Sequence, residues 1–365
     1  MAADSNASAD PEIAAQAAPQ YAQAGVDIAA NDRLIPRYRD LAAQTHRPEV
    51  IGGVGPFSGL FDLRGFPNPV LVASTDGVGS KVLIARALQR FHSVGQDLVN
   101  HCINDILTAG AQPLFFLDYL ANDGLTEDQK VEIVRGIADA CRETGLALLG
   151  GETADMPGVY QPGDFDLAGT IVGIIEQGAQ IDGAAIAPDD ILIALPSSGL
   201  HTNGYTLARH VLGLTNATPE VTRAALESTP PELSEPLGDV LLHIHRAYWS
   251  LLQPLLPHCK GIAHITGGGI PGNLVRVLPP HTCAVVHRGT WPELPIFDLI
   301  QRRGDISDTE MFNVFNMGLG LIIVAAPDDE AHLIDALPDA YRVGSILATP
   351  SETSQPSVEI SPLLT

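Results

Sequence analysis

Short apolar runs recur along the chain, at residues 70–73, 114–117, 146–149, 170–175, 191–195, 284–286 and 321–325. Gly, Pro or Asp bound them, and so short a length predicts buried strands rather than helices. Between the runs the spacing of apolar positions changes to a helical one. In "TEDQKVEIVRGIADACRETG", Thr126 and Gln129 form a capping-box pair, Val131, Val134, Ile137, Ala138 and Cys141 share a face, and Gly145 supplies the stop. The stretch "GQDLVNHCINDILTAGAQPLFFLDYL" is mostly apolar, yet Asp97, His101, Asn104, Asp105 and Thr108 recur at three- and four-residue steps. That places a polar stripe on an otherwise buried helix. Strands and helices alternate, so the expected class is α/β or α+β.

Two stretches interrupt the pattern. Residues 176–190, "EQGAQIDGAAIAPDD", read as a domain boundary, and residues 215–238, rich in Thr, Pro and Glu, as a peripheral excursion. A chain of 365 residues is too long for one compact core of ordinary size. The expected division is a tail over 1–20, an N-terminal domain over 21–178, a C-terminal domain over 179–350 and a tail over 351–365.

Composition narrows the function. With 45% hydrophobic and 17% charged residues the chain suits a well-filled globular protein. A net charge of -23 argues against a nucleic-acid partner. Cys102, Cys141, Cys259 and Cys283 show no metal-ligand spacing and read as buried thiols in a reducing compartment. No apolar run reaches the length of a membrane span, and the Ala-rich first twenty residues carry acids but no Lys or Arg. A cytoplasmic protein is expected.

The candidate chemistry begins at "VLVASTDGVGSK". A strand ends in a loop where Gly77 and Gly79 allow close backbone approach and Lys81 offers a charge for phosphate, yet Asp76 sits among them. A hard cation between Asp76 and phosphate reconciles the two; the plainer reading makes Asp76 a helix N-cap. Asp105 on the polar stripe is costly to bury unless paired or metal-bound. Asp118 follows the run "LFFL", and in "LALLGGETADMPGVY" Gly150 and Gly151 precede Glu152. Taken together, these acids predict a cation-assisted nucleotide-phosphate site at strand ends. Two further glycine loops, "PSSGLHTNGY" and "HITGGGIPGN", contain His201 and His264 and can cradle an anion on free backbone N–H groups.

These motifs, with "RPEVIGGVGPFSGLFDL", "VNHCINDI" and "EMFNVFNMGLG", stand in the order seen in phosphoribosylformylglycinamidine cyclo-ligases, the aminoimidazole ribonucleotide synthetases, and the chain closely resembles that family from Tyr21 to about Ile346. The resemblance implies two α/β domains, with the N-terminal sheets of a homodimer pairing into a shared barrel. It implies ATP and Mg²⁺ as cofactors and formylglycinamidine ribonucleotide as substrate, with no nucleic acid or membrane partner. Carried over by motif, Gly52, Gly53 and Gly55 of the first glycine loop, Asp76, Gly77, Gly79, Ser80, Lys81, Asp105, Gly150, Gly151 and Glu152 serve ATP. Asp76, Asp105 and Glu152 hold the metal. Ser198, Gly199, His201, Asn203, Thr266, Gly267, Gly268 and Gly269 serve the ribonucleotide, and His201, His264 and Lys81 take catalytic roles. The chain departs from the family pattern at Ala30 and Pro56. Selenophosphate synthetase would need a reactive Cys or Sec near the N-terminus, and no cysteine precedes Cys102. A degenerate nucleotide-binding scaffold is the rival of a different class; Asp76, Lys81, Asp105 and Glu152 argue against it.

Overall fold

The computed structural model describes residues 28–54, 58–350 and 355–362. The expected N-terminal tail, Gly55 and Pro56 lie outside the described residues. Helix Ile28–Ala43 leads into a small hairpin of β1 (Val50–Ile51) and β2 (Leu60–Phe61). A four-stranded sheet follows, built from β3 (Pro69–Gly77), β4 (Gln112–Asn122), β5 (Ala147–Asp155) and β6 (Phe165–Glu176), in the order β3-β6-β4-β5. Only the β4–β5 pair is parallel.

Helices His92–Leu107 and Glu127–Thr144 cover one face of this sheet. The second opens on the expected capping box of Thr126 and Gln129 and ends at Gly145, whose φ of 71° relieves the last turn. The two helices cross backbone to backbone. A methyl group at Gly95 would lie 2.2 Å from the Ile133 carbonyl oxygen, and one at Gly136 2.0 Å from that of His92. The opposite face of the sheet stays open, exposing Leu71, Leu117 and Tyr119.

The C-terminal sheet has six strands in the order β12-β9-β11-β7-β10-β8. They are β7 (Ile191–Pro196), β8 (Gly261–His264), β9 (Thr282–His287), β10 (Leu319–Ala325), β11 (Tyr341–Ala348) and β12 (Ser357–Ser361). All pairings are antiparallel except β9–β12. Every residue of β10 is buried, which is why its sequence, Leu-Gly-Leu-Ile-Ile-Val-Ala, lacks alternation. Strands and helices alternate along the chain, but mostly antiparallel pairing puts the fold at the α+β end of the expected range. β6 ends at Glu176 and β7 begins at Ile191, so residues 177–190 connect the sheets. The stretch expected to be irregular, 215–238, contains helix Pro219–Glu227, capped by Thr218.

The domains meet along the polar stripe of helix His92–Leu107. Its side chains hydrogen-bond the backbone of residues 243–248, a segment that belongs to no helix or strand. Asp97 accepts from the His245 N–H at 2.7 Å, and Asn100 donates to the His245 carbonyl at 2.7 Å. Asn104 donates to the Arg246 carbonyl at 2.8 Å and accepts from the Tyr248 N–H at 3.0 Å. Lys81 closes the seam, 2.8 Å from Asp97 and donating to the His243 carbonyl at 2.6 Å. The stripe therefore satisfies backbone groups that the domain junction would otherwise bury unpaired.

Candidate active site

The sequence placed three acids at strand ends; the strands run longer than the apolar runs that announced them. Asp76 stands one residue from the end of β3, but Asp118 and Glu152 lie inside β4 and β5. Register then decides which face each side chain takes. Asp76 pairs with Gly169, Gly169 with Asp118, and Asp118 with Gly151, so these four share the helix-covered face. Glu152 pairs with Tyr119 and takes the open face. It stands on the far edge strand, three strand spacings or roughly 14 Å from β3. Glu152 thus lies apart from Asp76 and Asp105 within one chain. Of the first glycine loop, Gly59 lies against β5, where a methyl group would press on Leu149, 2.4 Å from its Cγ, and Gly53 faces His46.

Asp76 is no helix cap. Its Oδ1 accepts from the Gly77 N–H at 2.6 Å and its Oδ2 lies 2.8 Å from His101 Nε2. Asp105 joins them from the helix: Oδ2 accepts from the Ser74 hydroxyl at 3.0 Å, and Oδ1 lies 2.9 Å from His264 Nδ1 and 3.9 Å from His101 Nε2. Ligand atoms of His101, Asp105 and His264 all fall within 4.8 Å of one another. Carboxylates and imidazoles so grouped fit a divalent cation, which Asp105 and His264 would hold beside His101, with Asp76 on the far side of that imidazole, and which would neutralise phosphate charge. Lys81, by contrast, is fully buried against Asp97 and the His243 carbonyl, and Ser80 contacts Thr206 at 3.2 Å.

Both glycine loops of the C-terminal domain arrive at the same place. His201 takes a φ of 62°, a conformation uncommon for a side chain of its size, and its Nε2 accepts from the Ser198 N–H at 3.2 Å. Its Nδ1 is buried with no hydrogen-bond partner among the described residues. Asn316 fixes the loop's start, donating to the Gly199 carbonyl at 2.9 Å and accepting from Ser197 at 3.0 Å, which gives the "FNMG" motif its purpose. The other loop is pinned by Asn273, which donates to the carbonyls of Thr266, Gly267 and Gly269 at 3.2, 3.3 and 2.8 Å. Gly269 turns with a φ of 61° where a methyl group would strike the Phe312 carbonyl at 1.8 Å. Asn203 faces Gly267 across the gap, 3.3 Å from where a Cβ would stand.

One member escaped sequence reasoning. His245, fully buried, stacks on His201 at 3.9 Å between ring centroids and lies 3.1 Å from His264 Nε2 and 3.3 Å from Thr202 Oγ1. Thr202 in turn is 2.6 Å from His101 Nδ1. The available signal was the His243-Ile-His245 pair, whose apolar, glycine-free surroundings gave no hint of a loop. Burial and the neighbouring imidazoles push His201 and His245 well below the usual histidine range. Burial also lowers His264, against the pull of Asp105. In His101 burial is outweighed by Asp76 and Asp105, and its affinity for a proton rises. Burial lifts the Asp118 carboxyl to about 7, with Glu152 adding to the rise.

Two α+β domains closing a carboxylate–imidazole cluster between glycine loops define a class, and comparison with known proteins gives the same class. The profile of the AIR synthase related protein N-terminal domain matches residues 63–175, and that of the C-terminal domain matches residues 187–355. The chain belongs to the phosphoribosylformylglycinamidine cyclo-ligase family. It is 52% identical to the Myxococcus xanthus enzyme of that name over 92% of this chain and 97% of the relative. The Geobacillus thermodenitrificans enzyme is 44% identical, over 90% and 95%. Among solved structures it shares its fold with E. coli HypE, at a TM-score of 0.63, 16% identity and coverage of 92% and 94%. Thiamine-monophosphate kinase from Stenotrophomonas maltophilia gives 0.62, 17% and coverage of 93% and 98%.

Proposed function

We propose that this enzyme closes the imidazole ring of 5-aminoimidazole ribonucleotide from formylglycinamidine ribonucleotide at the expense of ATP, in the cytoplasm. The observation that carries the reading is the meeting of Asp76 and Asp105 with both C-terminal glycine loops at one domain junction. The carboxylates suit Mg²⁺ and through it the ATP phosphates, and the loops at 198–203 and 266–269 suit the anionic ribonucleotide.

The chemistry follows from a poor leaving group. The formamide oxygen attacks the γ-phosphorus of ATP, the bond to the bridging oxygen breaks, and ADP leaves. The resulting iminophosphate is attacked at its carbon by the amidine nitrogen. The carbon–oxygen bond then breaks, phosphate departs and the nitrogen gives up a proton. When bound, Mg²⁺ supplies charge neutralisation on the phosphates. The protein supplies position. His201, with its unpartnered Nδ1, is the group suited to orient the substrate nitrogen and receive its proton, while His264, tethered to Asp105, is held on the cation side of the site. Lys81 acts from within the seam, holding the His243 carbonyl and Asp97 in register.

A homodimer is part of the proposal. The open face of the N-terminal sheet, with Leu71 56% and Tyr119 40% exposed, suits a second copy of the same face. Substrate carrying ¹⁸O in the formamide group tests the mechanism. The label should appear in released phosphate by mass spectrometry; label recovered only in water would rule out phosphoryl transfer to that oxygen.

A further inference from the structure

In the histidine cluster the protons can be counted, and the count starts at Asn104. Its Oδ1 accepts from the Tyr248 N–H and its Nδ2 donates to the Arg246 carbonyl, so two backbone groups of opposite character fix the amide's orientation. The same Nδ2 lies 3.1 Å from His245 Nε2. An amide nitrogen only donates, so Nε2 presents a lone pair and the His245 hydrogen sits on Nδ1.

One arm then closes as far as His101 Nδ1. His245 Nδ1–H donates to Thr202 at 3.3 Å, the Thr202 hydroxyl donates to His101 Nδ1 at 2.6 Å, and His101 Nε2 lies 2.8 Å from Asp76 Oδ2 without the alignment of a hydrogen bond. The other arm does not. His264 Nε2, 3.1 Å from the His245 lone pair, must carry its hydrogen, which leaves Nδ1 as a lone pair 2.9 Å from Asp105 Oδ1. Two acceptors then face each other in a part-buried place, and a cation held by both resolves the contact. The reverse sense, begun by an added proton at His101, would turn a His245 Nε2–H onto the Asn104 N–H.

We propose that Asn104 and His245 are positioning residues that lock the tautomer of His264, holding its hydrogen on Nε2 and presenting the Nδ1 lone pair to a divalent cation shared with Asp105. Imidazole ligands of metals are commonly fixed by the partner of their second nitrogen, and here that partner is itself fixed two bonds further on. The proposal rests on the reading that Asp105 serves a cation.

Two readouts on the full-length protein test it, with Mn²⁺ as the probe. In two-bond ¹H–¹⁵N spectra of histidine-labelled protein, His264 should show the Nε2–H pattern. Asn104→Asp supplies an acceptor to His245 Nε2, reverses the sense and turns a His264 Nδ1–H toward Asp105. Mn²⁺ affinity, followed by paramagnetic resonance of the free ion, should fall at least about tenfold. Simple charge attraction predicts the opposite, since the variant adds a carboxylate beside the site; unchanged or tighter binding would overturn the lock. Should the variant not fold, the unmodified protein decides, because an Nδ1–H pattern at His264 also overturns it. Wild-type protein that takes up no Mn²⁺ would instead defeat the cation reading beneath the proposal, whereas uptake with the wrong tautomer defeats the lock alone.

Discussion

Asp118 shows how far a residue's meaning depends on its face. Read from the chain it resembled another ligand at a strand end; in the fold it lies under the helices, its Oδ1 over Gly151, where a methyl group would come within 2.1 Å of it. Burial raises its carboxyl to about 7, against an unfolded value near 4. Below about pH 4 both states hold the proton and nothing is lost. As pH rises through the interval the unfolded chain ionises first, so stability falls until the folded carboxyl ionises too. Asp118→Asn should therefore match wild type in urea unfolding near pH 4 and exceed it at pH 8, by ~4 kcal/mol at most. Equal stability at both values would refute the assignment. Asp76 and Asp105 were legible because an acid in a glycine loop and an acid on an apolar helix each contradict their surroundings. His245 was not, because its neighbours are ordinary core residues and its partners come from three distant segments.

At the scale of elements, periodicity served well where one face is buried and poorly where a strand continues past its apolar run. The Thr126 capping box and the Gly145 stop lie where the sequence places them. β4 extends to Asn122, beyond the run at 114–117, since pairing with β5 and β6 continues through polar positions. That extension is what carries Glu152 to the opposite face from Asp76. The glycines of the two crossing helices gave no sequence signal, because close approach is a property of the pair. Gly136→Ala forces a methyl group into the His92 carbonyl, with backbone on both sides and no flexible neighbour to yield. It should cost about 2–3 kcal/mol or more in urea unfolding despite the better helix propensity of alanine. A stabilised variant would show that the helices separate freely.

At the scale of the whole molecule a polar seam joins the two larger sheets, and the seam doubles as a wall of the candidate site. Of the stripe on helix His92–Leu107, Asp97 and Asn104 bind backbone, joined by Asn100, while His101 and Asp105 meet Thr202 and His264 of the C-terminal loops. Sequence pattern shows that such residues are polar and buried, not whether their partner is a neighbouring chain segment or a ligand. The open sheet face poses the same question at larger scale. If a second copy covers it, Leu117→Asp should convert a species of twice the 38.5 kDa chain mass into monomer in light scattering. Wild-type protein that runs as a monomer would remove the dimer from the account.

The proposed reaction is ring closure driven by ATP at the Asp76–Asp105 junction. Purified protein mixed with ATP, Mg²⁺ and formylglycinamidine ribonucleotide, followed by ³¹P and ¹H NMR, tests it most directly. ADP, phosphate and the new imidazole C–H signal should rise together in equal amounts, and only when both substrates are present. ADP and phosphate formed without the ring, or substrate left unchanged beside intact ATP, would contradict it.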